Sequence, residues 1–78
     1  MSRIVLVEWV DSGIGAHDWT GKDDKASIAT VPCVSVGIIL EDNEDDIKLV
    51  SNLNDTCYLH GVCIPKGCIK RIRTLKVE

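Results

Sequence analysis

Val62-Cys63-Ile64-Pro65-Lys66-Gly67-Cys68-Ile69-Lys70-Arg71-Ile72 is the stretch on which the fold of this chain turns. The segment Cys57 to Ile64 can form a strand, weakened by Gly61. Pro65-Lys66-Gly67 then breaks the chain, because proline fixes φ and lacks the N–H a ladder needs. The final segment, Cys68 to Val77, is both apolar and basic. Cys68, Ile72 and Leu75 fit a helical stripe, while the same stretch also reads as a short last strand. Composition favours the strand: 45% of the residues are apolar, Phe is absent, and Trp9, Trp19 and Tyr58 are the only aromatics in a chain otherwise dominated by Val, Ile and Leu.

Working outward, residues 3–10 are rich in Val, Ile and Trp without helical spacing and predict a first strand. Residues 11–25 hold three glycines and four aspartates and predict a long irregular loop with Trp19 as its apolar anchor. Residues 26–32 carry no decisive pattern. The apolar runs 33–41 and 47–51 flank Glu41-Asp42-Asn43-Glu44-Asp45-Asp46, a hairpin with a solvated tip. Gly37 inside the first run predicts a bulge or sharp bend, and residues 52–55 make another turn. With 78 residues, the chain 1–78 is one domain. A domain of this size buries only ~60–65% of its unfolded surface, which leaves room for association with other copies.

The Pro65 segment resembles the end of Src-homology-3-like barrels. There a strand ends in an apolar residue and proline, one 3₁₀ turn comes next, and a last short strand places apolar residues three apart, here Ile69 and Ile72. The implied fold is mainly β: a small five-stranded antiparallel SH3-like or Sm-like barrel with a long early loop and a 3₁₀ turn before the last strand. The chain as a whole resembles a group of small proteins encoded by tailed bacteriophages and prophages. That resemblance rests on Val7-Glu8-Trp9-Val10-Asp11, Trp19, Ser35-Val36-Gly37-Ile38-Ile39 with Glu41-Asp42, Ile47 and Leu49, and Ile64-Pro65-Lys66 with Ile69, Ile72 and Leu75. Cys68 departs from the pattern, which has a larger apolar residue there. The resemblance implies an accessory protein acting in the cytoplasm of an infected bacterium, with no reaction attached.

Charge narrows the partners. Twelve acidic against nine basic residues give a net charge of −3, which argues against an extended phosphate-tracking surface for duplex DNA. Locally, residues 41–46 hold five carboxylates, while Lys66, Lys70, Arg71, Arg73 and Lys76 place five cations in the last thirteen residues. An acidic molecule can thus present one basic face. The N-terminal apolar run stops at Glu8, too short for a signal peptide or a membrane span, so no membrane partner is expected. In a bacterial cytoplasm Cys33, Cys57, Cys63 and Cys68 would stay reduced.

Several motifs fall short of chemistry. Cys57, His60, Cys63 and Cys68 offer four soft ligands within twelve residues, a weak zinc pattern, since on a continuous strand His60 faces away from Cys57 and Cys63 and a turn near Gly61 would be needed. Packed thiols are the plainer reading, and no cofactor is expected. The acidic run lacks the glycine and bidentate glutamate of a calcium loop. Gly13-Ile14-Gly15 and Gly21-Lys22 miss the Walker spacing, leaving at most a backbone anion nest. The sequence neighbours His17 and Asp18 do not make a catalytic pair, and no signature assembles a nucleophile, base and orienting group, so no enzyme is expected.

The basic end remains. On a regular strand Arg71 and Arg73 project to one face and Lys70 to the other, so two guanidinium forks suited to phosphate converge. The leading expectation is a homo-oligomeric binding module. In it Lys66, Arg71 and Arg73 neutralise a small anionic, nucleotide-type ligand such as a host immune signal, and Trp19 stacks on its base. A second reading is an inhibitor that presents Asp42, Glu44, Asp45 and Asp46 to a host protein. A third is Sm-like RNA binding. In the plainest reading the cations only solubilise the last strand and both tryptophans fill the core.

Overall fold

The computed structural model describes residues 3–13, 19–25 and 28–76. They contain five strands, β1 (Ile4–Asp11), β2 (Val31–Asp42), β3 (Asp46–Leu53), β4 (Tyr58–Pro65) and β5 (Ile69–Thr74), with a 3₁₀ turn at Lys66–Cys68 between the last two. All pairings are antiparallel and form one sheet in the order β4-β3-β2-β1-β5. The segment after Pro65 is therefore a turn and a strand, and the helical alternative is overturned. Cys68, Ile72 and Leu75 do not share a helix face, because Ile72 is laddered to Val7.

No ladder joins β4 to β5, so the sheet is open, yet it is far from flat. The two edge strands are four strand gaps apart, roughly 19 Å in a flat sheet. Only the 3₁₀ turn links Pro65 to Ile69, and four residues of chain span at most ~14 Å. The sheet must curl to bring its edges within reach. The core records that curl: Val5 and Val7 of β1 pack with Ile47 and Leu49 of β3 and Ile64 of β4, although β1 and β3 never pair. All five are at most 1% exposed, and Trp9, Ile39, Ile69 and Ile72 close around them.

β2 makes the curl possible by keeping its concave side small. Cys33, Ser35 and Gly37 stand opposite Trp9, Val7 and Val5, while Val34 and Val36 point outward and are largely exposed. The Trp9 indole Nε1 donates to Ser35 Oγ at 3.0 Å, so that side chain is half-buried with its one polar atom satisfied. Gly37 is not the bulge expected from the sequence. Its ladder to Val5 is regular, and the β2 register shifts at Leu40 instead. Gly37 is needed for close approach: a Cβ there would lie 3.1 Å from Leu49 Cβ and from the Val50 carbonyl oxygen.

Candidate functional site

The site begins with a mismatch in β5. Trp9 is laddered to Ile69 but Glu8 to Arg71, so Lys70 is an extra residue opposite one step of β1. Ile69 and Ile72 both pack on the core, which leaves Lys70 and Arg71 exposed between them. This corrects the regular-strand expectation: Lys70 does not project into the concave side. It lines a surface depression of about 260 Å³ at the strand margin together with Glu8 and Val34 of the outer face and Trp9, Pro32 and Cys33, next to the row that carries Arg71. The three-residue spacing of Ile69 and Ile72 was the sequence signal for this bulge.

Across the ladders the outer face forms two rows. Arg71 stands opposite Glu8, and Glu8 opposite Val34; Arg73 stands opposite Leu6, and Leu6 opposite Val36. Residues directly opposite in antiparallel strands share a face with Cβ atoms ~5 Å apart. Cations on β5 thus give way to a carboxylate and Leu6 on β1, then to aliphatic side chains on β2. The ion pairs among the described residues involve Lys48 and Lys66 alone, so neither arginine is tied to a carboxylate among those residues. Glu8, Leu6, Val34 and Val36 were not singled out from sequence as site residues, because only strand pairing makes them neighbours of the arginines.

The other expected residues lie elsewhere. Lys66 is taken up by the β2–β3 hairpin: its Nζ pairs with Asp42 Oδ1, and its backbone N–H donates to the Asp45 carbonyl. Trp19 is fully exposed on the long loop and lines none of the described depressions near the arginines. Gly15, His17 and Asp18 lie outside the described residues. Gly13 is described, and a Cβ on it would collide with the Ala29 carbonyl, so it serves to bring the two loop ends together.

The acidic hairpin is partly neutralised by its own chain. Lys48 Nζ sits 2.9 Å from both Glu41 Oε2 and Asp46 Oδ1. Hydrogen bonding to Lys48 holds both carboxyls below their ordinary values and raises the Lys48 ammonium above its own. Cys63, laddered to Lys48, is pushed up by burial first and then by the Asp46 carboxylate, which makes it a poor thiolate nucleophile. Glu44 and Asp45 remain as exposed carboxylates at the tip.

The four candidate metal ligands are spread along β4 and the turn after it. Cys57 is exposed at the β3–β4 turn, Cys63 lies beside Asp46, and Cys68 closes the 3₁₀ turn. His60 has φ of 54°, and the ladder to β3 skips it. β4 nevertheless runs as one strand through His60 and Gly61 in constant register with β3, so the turn the zinc pattern required does not form there, and no three His, Cys, Asp or Glu among the described residues are grouped to hold a metal ion. All four cysteines are free thiols. Among the described residues no helix is long and apolar enough to cross a membrane.

Comparison with known proteins finds no matching family model, no similar curated protein and no similar solved structure.

Proposed function

We propose that this chain is a non-enzymatic phage accessory module, built on an SH3-like barrel and assembled with copies of itself, that sequesters a small anionic ligand of nucleotide type. The observation that carries this reading is the β5 bulge, which gathers Lys70, Arg71 and Arg73 on one exposed face. Their chemistry suits phosphate: a guanidinium donates a planar fork of N–H groups to two oxygens, and an ammonium adds a point charge. The acidic overall charge favours a compact anion held at one patch over a long polyanion tracked along the surface. Lys66, already paired with Asp42, contributes less than the sequence alone suggested. The barrel reading draws on the strand order and on the short link that forces the sheet to curl.

Calorimetry with cyclic and linear nucleotides is the direct test. The expected result is saturable binding with unchanged ligand recovered after heating the complex, weakened about tenfold or more by Arg71→Ala or Arg73→Ala. No binding to any member of the panel would overturn the proposal. Turnover of the ligand would overturn its non-enzymatic part.

A further inference from the structure

The order of chemistry across the outer face is more specific than an anion patch requires. One row reads Arg71, Glu8, Val34 across β5, β1 and β2, and the next reads Arg73, Leu6, Val36. Each step is one strand spacing, ~4.8 Å, so cation, carboxylate and aliphatic surface succeed one another over roughly 10 Å. A carboxylate beside an anion site is a liability if the ligand is only an anion, because it repels the charge the arginines attract. It becomes useful if the ligand carries hydrogen-bond donors one step from its negative group, since an ionised carboxylate only accepts.

Resting on the anion-site reading, we infer that the ligand is a ribonucleotide laid across the three strands, with phosphate on Arg71 and Arg73, ribose hydroxyls on Glu8 and the base against Val34 and Val36. Phosphate, sugar and base come in the same order as the side chains beneath them. Glu8 is half-buried and enters none of the ion pairs among the described residues, so its oxygens are open to a hydroxyl. Val34 and Val36 are 64% and 59% exposed, an aliphatic surface that a base can cover. Lys70, lining the depression with Glu8 and Val34, sits where a second phosphate group would be neutralised.

The test measures dissociation constants of the full chain for ATP, dATP and inorganic triphosphate. ATP is expected to bind about five- to tenfold more tightly than dATP, the worth of a hydrogen bond to a charged acceptor at an exposed site. Inorganic triphosphate is expected to be weaker than both nucleotides. Glu8→Ala should bring ATP and dATP within twofold of each other and tighten inorganic triphosphate, because it removes the hydroxyl acceptor and a repulsive charge together. Equal affinity of the unaltered protein for ATP and dATP, or an ATP preference that survives Glu8→Ala, overturns this inference. If inorganic triphosphate binds as well as ATP and Arg71→Ala abolishes both, the ribose assignment falls while the anion site stands. If none of the three binds, the ribose assignment falls, and the anion site falls with it when the cyclic nucleotides also fail to bind.

Discussion

Asn43 and Asn54 close the two hairpins by the same chemistry. Asn43 Oδ1 accepts the backbone N–H groups of Asp45 and Asp46 at 2.8 and 2.9 Å, and Asn54 Oδ1 accepts those of Thr56 and Cys57 at 2.9 and 2.7 Å. In each turn the asparagine backbone N–H donates across the mouth, to the carbonyls of Asp46 and Cys57. An asparagine that bonds the backbone two and three residues on replaces what the turn itself cannot supply. Asn54→Ala should therefore cost about 1–2 kcal/mol in urea unfolding, while Asn54→Asp, which keeps the acceptor, should stay within about 0.5 kcal/mol of the parent. Lys48 gives this scale its pH dependence. Its partners Asp46 and Glu41 have folded values below their unfolded ones, so their contribution is complete above the ordinary carboxylate range and lost as pH falls through the lowered values. Lys48→Met is expected to lower the urea midpoint at pH 7, with the gap between variant and parent closing as the pH falls below about 4. A gap that persists unchanged at pH 2 would mean that lost packing of the lysine stem, and not its charge, is responsible.

At the level of elements, a close approach at Gly37 and a bulge at Lys70 define what the sheet can do. Gly37 lets β2 lie close against Leu49 and Val50 of β3, and Gly37→Ala would press a methyl group against Leu49 Cβ and the Val50 carbonyl oxygen, both 3.1 Å away. That overpacking should cost about 1–3 kcal/mol, measured as a lower urea midpoint with little change in slope. The number of strands and their approximate spans were legible because turn residues separate short apolar runs: the expected strands at 3–10, 33–41 and 47–51 match β1, β2 and β3 to within two residues at each end. The inward side of β2 was not legible. Its bulkier residues, Val34 and Val36, face outward because a tightly curled sheet has room inside only for Cys33, Ser35 and Gly37. Ordinary alternation, read without knowing the curl, assigns the larger residues to the core. The face of Lys70 was hidden for a related reason. Two apolar residues three apart on a strand can both pack inward only across a bulge, and Ile69 and Ile72 are such a pair. Sequence placed the arginines on one face, whereas Glu8 entered the site only through its ladder to Arg71.

For the whole molecule, the two edges of the sheet are defended unequally. β5 carries Lys70, Arg71 and Arg73 and a bulge, features that discourage pairing with another strand. β4 contains no Lys, Arg, Asp or Glu from Tyr58 to Pro65, and Tyr58, Leu59 and Val62 are 58%, 52% and 37% exposed along it, with Leu53 beside them on β3. The β3–β4 ribbon also runs past its support: β2 pairs with β3 no further than Val50, so Ser51–Leu53 and Tyr58–His60 form a two-stranded overhang. Two strands without a third are marginal in water, and large apolar side chains on such an overhang raise the cost of leaving it solvated. The proposed self-assembly predicts that this ribbon is where copies meet. Light scattering should then give a mass above the 8.6 kDa of one chain, and Leu59→Lys should return it to a single chain by placing like charges at the contact. The arginine face lies across the sheet from that ribbon, so the same variant should keep its affinity for the anionic ligand if each subunit binds alone. It should lose that affinity if a neighbouring copy completes the site. A mass of 8.6 kDa for the unaltered protein would remove self-assembly from the proposal and leave the anion face to act as a monomer.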